Sequence, residues 1–394
     1  MGSGRWPRPG PEEGVGAAST ARGLVDWSRV EASAGVVVPV AGPRAHRAAR
    51  GAVVELLRRG AETAPERVAA ITGMRGAVRG TGAGARVLVV DRAGLVRATA
   101  GFLARLLDGV PAPPAGPVAR RTSAWEAGAV LGALSCRLLG QVLPPITQAL
   151  PGDAGRPGGA ASDRVEGSEQ RPLLLLVAPN VLALQRREKL DLADLAAWVT
   201  MHEAVHAFQL DAAPWLADHL VARLREEVGA VVEELPGAGP AGIAAIARTG
   251  GPGRGEGLAG GKGAGGETGP AELRATLAFL EGHARAVLDG VTPALIPSAH
   301  VLRTVLEADP AAPTGRRSRQ GRGQGGGQGL IADLLRGRLL RVARAARFSR
   351  AVVARAGHEG LNRAWASPWA LPTAAELASP EAWLERVGSG AHLS

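Results

Sequence analysis

The stretch Trp198-Val-Thr-Met-His202-Glu203-Ala-Val-His206-Ala-Phe-Gln-Leu210 decides how this chain is read. It places H-E-x-x-H inside an apolar helical pattern. Residues four apart share one face of a helix, so His202 and His206 can present both imidazoles to one ion. Glu203 is the neighbour able to reach a water bound there. A hydrolytic metal site needs two neutral nitrogen ligands on a rigid rod, a third ligand and an open position for water. It also needs a carboxylate that moves the water's proton to the leaving amine. The surrounding sequence favours such a site over two ordinary surface histidines. The chain has only eight His, and two of them fall here.

The flanks support a helix. Asp191 and Asp194 are credible N-caps, and Pro214 stops continuation past about Leu210. Before it, Leu173-Leu-Leu-Leu-Val177 reads as a buried strand ending in a turn at Ala178-Pro179-Asn180. Val87-Leu-Val-Val90 reads as a second strand, followed by a helix over Gly94–Leu107. Helical spacing also runs through 44–72, Trp215–Leu235, 271–290 and Leu330–Ala356. Trp125–Leu143 is apolar with small residues at close spacing (Gly128, Gly132, Gly140), which predicts a buried helix packed tightly on another. The expected class is mainly α (α+β) with a few short strands.

The third ligand must come from elsewhere. Leu280-Glu281-Gly282-His283 sits in an apolar helix, where a lone carboxylate is costly unless paired or bound to metal. Gly282 removes bulk beside it, as a close approach to the His202–His206 helix would require. Glu281 is therefore the leading candidate, and its competing reading is an ion pair with Arg274 or Arg285. Glu272, in a first turn, suits the helix dipole better. His219 and His283 are the alternative ligands. Gln209 and Ala212 stand where metzincins carry Gly and His, which excludes that class.

Composition sets the outer bounds. Gly (56) and Pro (28) make up about a fifth of 394 residues, yet 46% are hydrophobic. The breakers are clustered: a tail at 1–23, a Pro-rich linker at 109–120, and Gly-rich inserts at 151–171, 236–270 and 311–329. Residues 24–388 then read as one catalytic domain, with Trp365, Trp369 and Trp383 packing down as a C-terminal clasp and 389–394 as a tail. Net charge is +10, and Lys189 and Lys262 are the only lysines among 46 basic residues. That skew fits a GC-rich coding bias better than nucleic-acid recognition, including for Arg316, Arg317, Arg319 and Arg322 in their Gly/Gln-rich loop. One cysteine, Cys136, excludes an internal disulfide and a Cys-rich zinc site, and its apolar setting predicts a buried thiol. The first 23 residues lack the apolar core of a secretory signal, and no stretch is long enough for a membrane span. A cytoplasmic protein is expected.

Taken together, the residues resemble one family, the actinobacterial zincin-like metallopeptidases of type 2. These are often labelled hydrolases associated with deazaflavin-coenzyme biosynthesis. The resemblance runs from about Leu24 to Val387. It rests on Val25-Asp26-Trp27, Val87–Arg92, Leu131–Ser135 with Leu139-Gly140-Gln141, Leu175–Asn180 and Trp198–His206. Further pieces are Pro214–Leu216 with His219-Leu220, Leu280–His283 with Asp289-Gly290, and Leu361-Asn362 with Trp365, Pro368 and Leu371-Pro372.

The resemblance implies Zn²⁺ held by His202, His206 and Glu281, with Glu203 as general base for water attacking an amide carbonyl of a peptide or protein. The oxyanion then needs a donor. Many zincins use Tyr or His, and this chain has no Tyr. His283 is the candidate, with His219 second. Val142 and Val342 stand where the family carries Tyr and part of a Gln-Tyr pair. Arg285 replaces an acid that orients a histidine ligand, and Asp289 is the expected substitute. A scaffold that binds a partner without turnover is the alternative reading.

Overall fold

In a computed structural model, described for residues 19–37, 42–74, 84–146, 171–234, 269–307 and 326–389, the apolar periodicities become eleven helices and one three-stranded sheet. This matches the mainly α expectation. The chain enters through α1 (Trp27–Val37) and α2 (Arg47–Thr72). Val53, Leu57, Ala64 and Val68 of α2 are buried, a spacing of four, seven and four that marks one helical face. The helix ends where Gly73 takes φ 69°, a left-handed value glycine adopts without steric cost.

β1 (Arg86–Val90) leads into α3 (Arg92–Asp108), whose cap Asp91 accepts from the Gly94 N–H at 2.7 Å. α4 (Pro117–Ser135) begins on a proline, so the Pro-rich linker ends at Gly116 and 117–120 form a first helical turn. As the small-residue spacing predicts, α4 packs tightly on α1. A Cβ on Gly128 would lie 2.7 Å from the Val30 carbonyl oxygen and 2.8 Å from the Ala34 nitrogen. The helix expected to reach Leu143 stops at Ser135, however, and Gly140–Leu143 forms strand β2. Trp125 is 53% exposed rather than buried, and Cys136, free, is half-buried.

β3 (Leu173–Val177) is the middle strand. It runs parallel to β1, with Arg86 opposite Leu173 and Val90 opposite Val177, and antiparallel to β2, with Gly140 opposite Leu176. Covered on both faces, it needs the continuous apolar run seen in the sequence. The expected turn at Ala178-Pro179-Asn180 is instead the first turn of α5 (Ala178–Glu188), since proline fits the start of a helix as well as a turn.

α6 (Leu192–Ala212) carries H-E-x-x-H. Its cap Asp191 accepts from the Asp194 N–H at 2.9 Å. α2, the sheet and α8 (Gly269–Leu288) surround it, so Leu195, Trp198, Met201, Val205 and Phe208 are all buried. α7 (Trp215–Glu234) follows directly after Pro214. The short helix α9 (Ala299–Glu307) had no sequence expectation. It is pinned by Asp194, which accepts from the Ser298 N–H at 2.8 Å. α10 (Gly326–Asn362) extends both ends of the expected 330–356 helix and breaks at Gly357, φ 67°.

The C-terminal clasp forms through Trp365 and Trp383, both buried, and α11 (Pro380–Gly388). The Trp383 indole N–H donates to the Ala370 carbonyl at 2.9 Å. Trp369 stays 45% exposed, under the Arg386 guanidinium at 4.5 Å from its ring centre. Of the expected tail 1–23, residues 19–23 are packed: the Ala21 N–H donates to the Val110 carbonyl at 2.7 Å. Residues 1–18, nearly all of the three Gly-rich inserts, and Arg316, Arg317, Arg319 and Arg322 lie outside the described residues. Among the described residues no helix is long and apolar enough to cross a membrane.

Candidate metal centre

The packing of α8 on α6 brings Glu281 to the two histidines. His202 Nε2 lies 3.4 Å from Glu281 Oε1, and His206 Nε2 lies 3.6 Å from Oε2. One ligand atom from each of the three residues falls within 4.8 Å of the others. These separations are long for hydrogen bonds. They suit the edges of a tetrahedron whose corners sit about 2.0–2.1 Å from a zinc ion, which are roughly 3.3–3.4 Å. The donor set, two imidazole nitrogens and one carboxylate, is also that of hydrolytic zinc sites. The residues present therefore fit the ion.

The same closeness couples the charges of these groups. Burial opposes the charged form of His202, but Glu281 and then Glu203 outweigh it and push its pKa up to about 10. Burial alone would raise Glu281, yet His202 and His206 pull it well below the usual carboxylate range. Without an ion, the proton on His202 balances the two carboxylates, and a metal cation would take that proton's place. Arg285, one turn on, also donates Nε–H to Glu281 Oε1 at 3.4 Å, so the competing ion pair and the ligand geometry coexist.

Glu203 lies beside this set rather than in it. It is 6% exposed, with Oε1 3.5 Å from His202 Nδ1, the ring atom facing away from Glu281. What makes room for it is Gly140, the first residue of β2. A Cβ there would lie 2.5 Å from Glu203 Cγ and Cδ and 2.6 Å from Oε1. The turn that leads into Gly140 is held by Asn180. Its Nδ2 donates to the Ser135 and Leu138 carbonyls at 2.7 and 2.6 Å, and its Oδ1 accepts from Arg92 Nε at 2.7 Å. The sequence shows these residues as conspicuous fragments but does not reveal that one network links them to Glu203.

Several expectations are corrected. His283 is fully buried, packed against the Phe279 and Trp365 rings, and bound to Gln209, so it offers no surface to a substrate. Burial, then His358 and His206, lower its pKa to about 3 and keep it neutral. Asp289 does not orient a ligand; it pairs with Arg350 at 2.6 Å and Arg303 at 3.2 Å. Gly282 lets α8 approach α10 rather than α6, since its Cβ would lie 2.5 Å from Ala345 C and Ala346 N. Glu272 is exposed, and His219 stands half-buried against Trp215; neither joins the cluster found among the described residues.

No protein of curated function matches the chain. A crystal structure from Chloroflexus aurantiacus, described provisionally as a hydrolase with a novel fold, superimposes with a TM-score of 0.53 at 21% identity, covering 92% of this chain and 99% of that one. At that identity the likeness establishes a shared fold. The model of the zincin-like metallopeptidases matches residues 25–384, nearly the whole length, and the chain belongs to that family.

Proposed function

We propose that this chain is a zinc-dependent peptide hydrolase in which His202, His206 and Glu281 hold the ion and Glu203 is the general base. The observation that carries the proposal is the convergence of His202, His206 and Glu281 within 4.8 Å, with a buried carboxylate alongside. When bound, zinc supplies a Lewis acid for the scissile carbonyl and acidity for a water molecule. The remaining work falls to the chain. Glu203 takes a proton from the attacking water as the C–O bond forms, then delivers it to the amine nitrogen as the C–N bond breaks. Packing against Gly140 limits where the carboxylate can sit, which keeps it oriented for both transfers.

β2 suggests how a substrate is held. It is an edge strand among the described residues, pairing only with β3. An extended peptide added along that edge would run past Gly140 and so past Glu203.

The test is elemental analysis of metal-replete protein. Wild type should retain zinc, and Glu281→Ala should bind it more than about 100-fold more weakly, since losing a supporting contact alone costs about 10- to 100-fold. Wild type free of zinc would remove the proposal. Glu203→Gln should keep zinc and lose about 10²- to 10⁴-fold in peptide hydrolysis. A second reading, a partner-binding scaffold without turnover, draws on one observation: the chain has no Tyr, and the candidate donor His283 is sequestered. Full biological activity in Glu203→Ala would favour it.

A further inference from the structure

Gln209 was notable in the sequence only as a residue that excludes another class. In the structure it is 1% exposed and makes three hydrogen bonds between the two helices of the centre. Nε2 donates to the Leu280 carbonyl at 2.8 Å and meets His283 Nδ1 at 3.0 Å; Oε1 meets His206 Nδ1 at 2.9 Å. Leu280 immediately precedes Glu281, and His206 is a candidate ligand on α6.

The hydrogens follow from the donor and acceptor inventory. A carbonyl oxygen can only accept, so the Leu280 contact requires the amide NH₂ on that side. Oε1 must then face His206, and because it too can only accept, His206 Nδ1 must carry a hydrogen. In the neutral ring, the form that binds a metal, that leaves the lone pair on Nε2, the atom facing Glu281. The second amide hydrogen goes to His283 Nδ1, which must therefore be bare. One amide orientation thus sets both ring tautomers, and every donor and acceptor of the amide is used for it.

We propose that Gln209 is the positioning residue of this centre: it selects the His206 tautomer with a free Nε2 and ties that ligand to the helix segment carrying Glu281. The proposal rests on the zinc reading above, but the hydrogen on His206 Nδ1 does not, since Gln209 Oε1 faces that atom with or without an ion. Orienting groups that hold a histidine's far nitrogen typically contribute about 10- to 100-fold to metal affinity. The usual group is a carboxylate or a backbone carbonyl. Here a neutral amide does the work, and it also bridges the helices, which a carboxylate could not do at the Leu280 carbonyl.

The test combines two measurements on full-length protein. Long-range ¹H–¹⁵N spectra of the metal-free form report which nitrogen of His206 bears hydrogen. Competition with a chromophoric chelator reports zinc affinity. Wild type should show His206 protonated at Nδ1. Gln209→Met, close in volume but unable to make the bonds, should give a mixture of tautomers and bind zinc about 10- to 100-fold more weakly. Gln209→Glu keeps an acceptor for His206 and loses both donated bonds, so it should restore the Nδ1–H form while leaving the protein less stable than wild type. A role confined to joining helices would lower stability in both variants and leave the tautomer unmoved. Wild-type His206 lacking hydrogen at Nδ1, or Gln209→Met with unchanged tautomer and unchanged zinc affinity, would overturn the proposal. The wild-type spectrum decides the point even if Gln209→Met does not fold. If wild type binds no zinc but shows the Nδ1–H form, the zinc reading fails and the positioning role stands.

Discussion

Gly140→Ala separates catalysis from metal binding with one methyl group. Gly140 has no positive φ, so alanine meets no backbone penalty there. In a strand the change should even reduce the entropy cost of ordering the chain, by about 0.5–1 kcal/mol. The only conflict is spatial. The new Cβ would lie 2.5 Å from Glu203 Cγ and Cδ and 2.6 Å from Oε1. Ordinary contact begins near 3.4 Å, so the carboxylate must retreat by about 1 Å. A Glu side chain can swing that far, so the fold survives. A misplacement of about 1 Å at a reacting group costs roughly 100-fold in rate, or about 2.7 kcal/mol. His202, His206 and Glu281 are not displaced, and the Glu203–His202 contact is already long at 3.5 Å, so zinc affinity should change by less than about 10-fold. The assay is hydrolysis of a quenched-fluorescent peptide library by zinc-loaded protein, alongside zinc titration and thermal melting. A wild-type rate in Gly140→Ala would refute the placement of Glu203 as general base. Parallel loss of zinc would show that the strand supports the ligands instead.

The further predictions concern stability. His283 ionises near pH 3 when folded and near 6.5 when unfolded, so between these values the unfolded chain binds more protons and stability falls as pH falls. The slope due to this residue is about 1.4 kcal/mol per pH unit, about 5 kcal/mol in all. Urea unfolding of metal-free protein from pH 4 to 6 should show that slope reduced in His283→Gln, and equal slopes in the two proteins would contradict it. The raised His202 acts in the opposite window: its contribution is complete below pH 6.5 and is lost as pH rises through about 10. Gly282→Ala should cost about 1–3 kcal/mol, because its Cβ meets the backbone of Ala345 and Ala346, which cannot rotate away. Gly51→Ala, with nothing within 4 Å, should instead stabilise α2 by about 0.5–1 kcal/mol, and the pair of unfolding curves checks the sign of both.

The local features were legible because local physics creates them. The caps at Asp91 and Asp191, the stop before Pro214 and the strand at Leu173–Val177 each depend on residues a few positions apart. The errors fall where a distant partner overrides the local signal. Gly140–Leu143 continues the apolar run of a helix yet is drawn into a strand by the leucines of β3. Pro179 suits a turn and a helix start equally, and packing chose the helix. His283 looked available beside a ligand, but the rings of Phe279 and Trp365 enclose it.

By itself the sequence determined that His202 and His206 share a face and that Glu203 stands next to them, because a helix imposes that geometry in any fold. It also narrowed the third ligand to a few residues, with Glu281 foremost. Only the tertiary structure could bring Glu281 to both imidazoles, clear a place for Glu203 with Gly140, and commit Gln209 to the carbonyl and ring that fix His206. The Gln209 contacts across the helices join residues 71 and 74 positions apart. No periodicity records them, since they depend on how α8 packs between α6 and α10 and not on either helix alone.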